Sequence, residues 1–235
     1  MKKIKEFFTG RNELFILYAV FAALLVCANC VAAKQIYIGK WFGIDVSITV
    51  GILCYPFTFL ITDIIGEKYG KREAQMAVIG GFIGQILAIL LVVLANLIPS
   101  QDEAMNVSFN SVLGSNWILT IGSLTACLLS QSWDVFIFHK VRDKYVNKHG
   151  STKGGRWIWN NVSTISSQLI DSVVFYLFLI LMLHTQGIDL PFVSCVVTIF
   201  VYWLFKIAIA LLDTPFFYLF TNKYGKKETE DGEQQ

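Results

Sequence analysis

Charged residues are scarce in this chain. Of its 235 residues only 15% are Asp, Glu, Lys or Arg, whereas 55% are hydrophobic and 14% are aromatic. So little charge cannot cover the surface of an ordinary soluble domain, so the composition predicts a membrane protein. The net charge of +2 is too small to indicate nucleic-acid binding.

Reactive side chains are few as well. The three histidines lie at the ends of apolar runs or in a loop, where we expect them to be solvated, and the five cysteines lie within or against apolar runs, where they pack as small apolar residues. No metal-ligand set, phosphate-binding loop or intramembrane protease motif is present in the sequence. We therefore predict no cofactor and no enzymatic activity.

Six apolar runs are long enough to cross the roughly 30 Å hydrocarbon core as helices at 1.5 Å per residue. They predict an all-α, polytopic membrane protein in which six transmembrane helices form one bundle over residues 1–235. The charged tail, at about 226–235, is predicted to be disordered. The predicted spans are 14–33, 47–65, 74–98, 117–138, 158–183 and 192–220.

The basic residues indicate the orientation of the bundle. Of 19 Lys and Arg residues, 16 fall in segments that share one side if the N-terminus is cytoplasmic, Lys34 and Lys40 fall on the other side, and Lys206 lies in the sixth span. Cytoplasmic loops carry the excess of Lys and Arg in membrane proteins. Both termini are therefore predicted to be cytoplasmic.

One polar motif occurs twice inside apolar spans: Ser130-Gln131-x-x-Asp134-x-x-x-Phe138 and Ser167-Gln168-x-x-Asp171-x-x-x-Phe175. An acid at membrane depth costs at least about 2.5–3.5 kcal/mol on insertion scales, so such acids usually face a cavity, a partner charge or a ligand. The two copies lie on spans that run in opposite directions, which suggests an inverted repeat, although so few residues cannot establish one.

The remaining polar residues at membrane depth are Asn29, Thr62, Asp63, Lys206 and Asp213, so that four acids accompany one base. Asp63 is interpreted either as an interfacial acid in contact with water or as a proton-coupling group. Asp171 and Lys206 could form a structural ion pair or contact a ligand directly. Asp213 precedes Thr214-Pro215 and is interpreted as satisfying a proline kink.

Small residues in the third span indicate close helix packing. Gly80 and Gly84 form a small-x-x-x-small pair, a spacing that lets two helix backbones approach. The pair could pack within the bundle or join two copies of the chain in a homodimer, and the sequence leaves both alternatives open.

Several motifs taken together carry a family resemblance. In order they are Tyr55-Pro-Phe-Thr-Phe-Leu-Ile-Thr-Asp63, Tyr69-Gly70, Gln131-x-x-Asp134-x-x-x-Phe138, Asp171-x-x-x-Phe175 and Phe205-Lys206. Over about residues 25–220 the chain resembles the queuosine precursor transporters, also grouped as vitamin uptake transporters. The resemblance implies a six-span importer in the cell inner membrane. Its substrates would be 7-deazaguanine bases, such as preQ0 or preQ1, or queuine.

The resemblance also implies which residues bind substrate: Asn29, Asp63, Gln131, Asp134, Asp171 and Lys206, with Gln168 added although the family's residue there need not be Gln. A guanine-like edge presents adjacent N–H donors that one carboxylate can accept in parallel. We therefore expect Gln131, Asp134 and Asp171 to bind the base and Lys206 to neutralise whichever acid is unoccupied.

One rival function belongs to the same class. The substrate-binding subunit of an energy-coupling-factor vitamin importer also has six short spans but requires external ATPases. Alanines along the first span, Ala19, Ala22, Ala23, Ala28 and Ala32, would suit docking to such a module. Transport by this chain alone would distinguish the two functions.

Overall fold

The computed structural model describes residues 11–32, 34–113, 117–152, 154–185, 187, 191–212 and 214–221. Within these residues, six segments are long and apolar enough to span a membrane, which confirms the all-α, six-span prediction. The predicted disordered tail and Asp213 lie outside the described residues. The six segments are Arg11–Ala32, Val50–Tyr69, Lys71–Asn96, Ile121–His149, Arg156–His184 and Phe192–Thr221.

Eight helices and one β-hairpin make up the described part of the chain. In chain order they are α1 (Arg11–Ala32), β1 (Gln35–Trp41), β2 (Ile44–Thr49), α2 (Tyr55–Tyr69), α3 (Lys71–Asn96), α4 (Glu103–Val112), α5 (Trp117–His149), α6 (Arg156–Thr185), α7 (Phe192–Leu211) and α8 (Thr214–Thr221). A 3-10 turn, Val50–Leu53, joins the hairpin to α2.

The β-hairpin is a feature that the hydrophobic-run analysis missed, since the second span was predicted to begin at Ser47. In the structure Ser47 lies in β2, and the two strands pair antiparallel through a two-residue turn, Phe42-Gly43, with φ of 50° and 83°. Positive φ at both central residues is the geometry that matches the strand twist in a tight hairpin. Alternating apolar residues, such as Val46 and Ile48, signal a strand by their period of two.

Two span ends also differ from the prediction. Helix α5 was expected to end at Phe138 but continues to His149, because helical structure does not have to stop where the hydrocarbon core stops. The sixth span comprises two helices, since α7 ends at Leu211 and α8 begins at Thr214, one residue before Pro215. Proline lacks an N–H and its ring clashes with the preceding turn, which favours the start of a helix at this position.

Helix α2 occupies the centre of the bundle and contacts α1, α3, α5, α7 and α8. In its most apolar window 67% of the residues are buried, against 22–39% for the other spans. The first turn of α2 lies near the β-hairpin, and we call this end of the bundle the hairpin end. The last turn of α2 lies beside Arg142 and Arg156, whose side-chain nitrogens are 3.4 and 3.2 Å from the carboxylate oxygens of Glu67. We call this second end the basic end. The polar side chains Thr58, Thr62 and Asp63 of α2 are consequently buried.

A glycine on α3 sets the distance between α1 and α3, but it is not one of the predicted pair. A Cβ atom on Gly81 would lie 2.5 Å from a ring carbon of Phe21 and 2.8 Å from a methyl of Leu25. A Cβ on Gly80 would meet nothing within 4 Å, and one on Gly84 only Ala22 at 3.9 Å. Close packing within the bundle therefore depends on Gly81, and a homodimer across the open face at Gly80 stays a prediction.

Substitution of Gly81 tests this packing, with its neighbour as the control. We expect Gly81→Val to destabilise the protein by about 1–3 kcal/mol, because the added methyl groups overpack the contact with Phe21. Gly80→Val introduces the same side chain on the same helix into open space. Thermal unfolding of the two purified variants in detergent should show a lower midpoint for Gly81→Val alone; equal midpoints would contradict the assignment.

Candidate functional site

Buried polar side chains form a continuous layer between α2, α5, α6 and α7. None of its members exposes more than 4% of its surface, so the layer is shut off from both water and lipid. We call this set the polar layer: Thr58, Thr62, Asp63, Ser130, Gln131, Asp134, Ser163, Ser167, Gln168, Asp171 and Lys206. It contains every predicted substrate-binding residue except Asn29.

The two copies of the repeated motif bind each other. Ser130 Oγ donates to Asp171 Oδ1 at 3.3 Å, and Ser167 Oγ donates to Asp134 Oδ1 at 2.9 Å. Each serine therefore serves the aspartate of the other copy, which is the pattern expected where two antiparallel helices cross about a local two-fold axis. This crossing explains why the motif is repeated, and it places both Asp134 and Asp171 at the contact between α5 and α6.

Asp171 forms an ion pair with the single base of the layer. Its Oδ2 accepts a hydrogen bond from Lys206 Nζ, and both side chains are 2% exposed. The ammonium group also lies 4.7 Å from the ring centre of Tyr55 and 4.9 Å from that of Tyr202, within the range of cation–π attraction. Both oxygens of Asp171 are thus engaged by protein groups.

Asp134 faces a second acid instead of a base. Its carboxyl group is in hydrogen-bonding contact with the carboxyl of Asp63 and with the hydroxyls of Ser163 and Ser167. Asp63 is 3% exposed, so the interpretation of this residue as an interfacial acid in water is wrong. It lies on α2, which packs against α5, and its carboxyl group contacts that of Asp134.

The two glutamines of the repeat also differ. Gln131 Nε2 donates to Thr58 Oγ1 at 3.2 Å, and its Oε1 accepts from Thr62 Oγ1 at 3.4 Å, so its amide is satisfied. Gln168 is 1% exposed, and within the described residues its Oε1 receives no hydrogen bond. A buried carbonyl without a donor is costly, so Gln168 is available to a ligand.

Two narrow pockets adjoin the layer, and Tyr55 borders both. Neither has room for more than about one water molecule, so a bicyclic base can enter only if the helices separate. The first is lined by Leu25, Ala28, Asn29, Tyr55, Thr58, Gln85, Ser123 and Cys127. The second is lined by Ile52, Tyr55, Pro56, Gln168, Lys206, Ile209 and Ala210.

Asn29 is separate from the other predicted binding residues. It is half-buried on α1, its Oδ1 accepts from Ser123 Oγ at 3.0 Å, and it lines only the first pocket. The sequence analysis did not predict Gln85, which is 3% exposed in the same pocket although it interrupts a long apolar run on α3. That isolated amide was a usable signal, since polar groups at membrane depth are seldom without function.

His139 was also misinterpreted. It was expected to be solvated at the end of a span, but because α5 continues to His149 it lies inside the helix and is 6% exposed. Its Nε2 has no hydrogen-bond partner among the described residues. A Cβ placed on Gly66 would be 3.1 Å from this nitrogen, so the imidazole packs directly on α2.

Comparison with known proteins is consistent with this architecture. A family model described as "Putative vitamin uptake transporter" matches residues 49–220. A "Probable queuosine precursor transporter" of Bacillus subtilis (strain 168) is 29% identical over 212 residues, which cover 89% of this chain and 83% of that protein. No solved structure is significantly similar to the chain.

Removing one member of the buried ion pair should be far more costly than removing both. We expect Lys206→Met to lower stability by about 3–5 kcal/mol because Asp171 is left as an uncompensated buried charge. The double variant Lys206→Met with Asp171→Asn should recover most of that loss. Asp143, which is 65% exposed near Arg142, provides the control, since Asp143→Asn should change stability by less than about 1 kcal/mol.

The measurement is a double-mutant cycle from thermal unfolding midpoints in detergent. If the single and double variants lose the same stability, the two residues are not energetically coupled and the ion pair does not hold α6 to α7.

Proposed function

The chain belongs to this family of vitamin uptake transporters, and from that premise we propose that it imports precursors of queuosine for salvage into tRNA modification. The Bacillus subtilis relative, named for that substrate class, supports the specific assignment. The substrates would be 7-deazaguanine bases such as preQ0 or preQ1, or queuine. A transporter has no need of bond-making chemistry, so we propose no enzymatic activity.

The observation that carries this proposal is the polar layer within the membrane-spanning part of the bundle. Its acids outnumber its bases, since three carboxyl groups accompany one ammonium group, and the side-chain carbonyl of Gln168 accepts no hydrogen bond from the described residues. A guanine-like edge offers adjacent N–H donors, which a carboxylate can accept in parallel. A ligand rich in N–H groups therefore supplies what the layer lacks.

We propose that base binding and the ion pair compete for Asp171. In the structure Lys206 binds this carboxylate, as the predicted neutralising role requires. When the helices around Tyr55 separate, the base takes the Asp171 and Gln168 acceptors, while Gln131 and Asp134 complete the contacts. Lys206 then remains over the rings of Tyr55 and Tyr202, which can stabilise the released cation.

The basic end of the bundle is proposed to face the cytoplasm, in an inner membrane. Its ion pairs join four helices, because Glu13 on α1 binds Lys68 at 2.5 Å and Glu67 on α2 binds both Arg142 and Arg156. Fusing a reporter that is fluorescent only in the cytoplasm to each terminus should give fluorescence with both fusions; a dark fusion would refute the orientation.

Rescue of tRNA modification tests the function directly. In a host that lacks queuosine synthesis and precursor uptake, expression of this chain should restore modification when a suitable base is supplied. Asp134→Ala and Asp171→Ala should abolish rescue, because each removes a carboxylate acceptor from the layer. Asp143→Asn, on the same helix as Asp134 but exposed, should rescue normally. Membrane insertion of each variant is checked by its amount in the membrane fraction, and normal rescue by either alanine variant would overturn the binding assignment.

Reconstitution separates this function from its rivals. Liposomes that contain only the purified chain should take up the base without ATP, whereas a substrate-binding subunit of an energy-coupling-factor importer would need its ATPase module. Chemical analysis of the accumulated compound tests the enzymatic alternative, since a transporter returns the base unchanged.

A further inference from the structure

We propose that the first pocket is a substituent subsite, in which Gln85 binds an uncharged group carried by the five-membered ring of the transported base. The inference rests on the transport function proposed above and deepens it by naming the substrates that the site prefers. It derives from a buried amide on α3 that the binding assignment does not use, and from the uncharged residues around that amide.

The packing of α1 on α3 directs Gln85 into this pocket. Gly81 lies against Phe21 and Leu25 of α1, an approach that a Cβ atom would prevent. Residues four apart share one face of a helix, so Gln85 follows Gly81 toward α1, and Asn29 follows Leu25 toward α3. Gln85 is consequently only 3% exposed, and both it and Asn29 line the first pocket.

The hydrogen bonds around the pocket do not include Gln85. Asn29 Oδ1 accepts from Ser123 Oγ at 3.0 Å, and Asn29 Nδ2 donates to a backbone carbonyl of its own helix at 3.4 Å. Thr58 Oγ1 accepts from Gln131 Nε2 at 3.2 Å. The Gln85 amide takes part in none of these bonds, so within the described residues its N–H donors and its carbonyl acceptor are available to a ligand.

The two pockets differ in charge. The described residues that line the first pocket supply two amides, three hydroxyls and a thiol beside apolar side chains, but neither a carboxylate nor a cation. The second pocket includes Lys206, whose ammonium group binds Asp171. A buried cation is stable only beside a partner charge, so the first pocket accepts a neutral polar group and disfavours a cationic one.

Tyr55 connects the two pockets, because it borders both. A bicyclic base is larger than either pocket, so it has to occupy both when Tyr55 moves aside. With the N–H edge of the six-membered ring bound to Asp171 and Gln168 beside the second pocket, the five-membered ring points toward the first. Its substituent then meets Gln85, whose amide can donate a hydrogen bond to an acceptor such as a nitrile.

Two precursors that differ in charge test the subsite. The five-membered ring of preQ0 carries a neutral nitrile, whereas that of preQ1 carries an aminomethyl group, which is a cation at pH 7. Initial rates of uptake into liposomes that contain only the purified chain give kcat/KM for each base. Wild type should favour preQ0, because the ammonium group of preQ1 would be buried without a carboxylate.

Gln85→Glu is the diagnostic variant, because the new carboxylate can pair with the ammonium group of preQ1. We expect the ratio of kcat/KM for preQ0 to that for preQ1 to fall at least about tenfold, the usual worth of a hydrogen bond to a charged group. Gln101→Glu makes the same change at an exposed position that follows α3, and it should keep the wild-type ratio.

Gln85→Leu separates binding from folding. It should raise KM for preQ0 about two- to tenfold, because one neutral hydrogen bond to the substrate is lost. The thermal unfolding midpoint in detergent should not fall, since leucine suits the apolar run of α3 and the bonds of Asn29 and Thr58 stay intact. A purely structural role of the amide would lower the midpoint instead.

The outcomes are distinct. Equal ratios in wild type and Gln85→Glu, or a wild-type preference for preQ1, overturn the subsite and leave the transport function standing. A shift of the same size in Gln101→Glu overturns it as well. No uptake of either base overturns both proposals. If Gln85→Glu does not fold, Gln85→Leu decides, because an unchanged KM for preQ0 overturns the role of Gln85.

Discussion

The fold depends on the reciprocal hydrogen bonds between Ser130 and Asp171 and between Ser167 and Asp134. Acids within a membrane are tolerated only where protein groups replace water, and here each of the two helices supplies a donor for the acid of the other. The crossing fixes the register of α5 against α6, the most extensively packed pair in the bundle. Helix α2 then packs over it and contributes Asp63, Thr58 and Thr62 to the enclosed layer.

Two identical motifs end up with different chemistry because their third partners differ. Asp171 meets Lys206 on α7, whereas Asp134 meets Asp63 on α2. Likewise the amide of Gln131 is bound by two threonines, whereas the side-chain carbonyl of Gln168 borders a pocket and accepts no hydrogen bond from the part of the chain that the structure describes. The two motifs are the same in sequence but have different neighbours, so the carboxylate of Asp171 is paired with an ammonium group and the carboxyl of Asp134 contacts another carboxyl group.

Hydropathy and buried charge made much of this predictable. The six spans follow from run length, and the polar layer follows from the cost of Asp, Gln and Lys in hydrocarbon. The hairpin was missed because a search for long apolar runs ignores the two-residue alternation around Val46 and Ile48. The sequence could not predict which group each aspartate contacts, since the contact of Asp134 with Asp63 depends on the register between α2 and α5. His139 was misplaced because the end of a hydrophobic run was taken as the end of its helix.

Tyr55 and Asp63 both lie on α2, whose one proline, Pro56, is in the first turn, and neither Gly nor Pro follows before Gly66. At 1.5 Å per residue the two side chains are separated by about 12 Å along the axis. A helix of this length is stiff, so a displacement of its first turn also moves the turn that carries Asp63. Tyr55, which borders both pockets, and the contact between Asp63 and Asp134 are therefore coupled, and we expect them to move together.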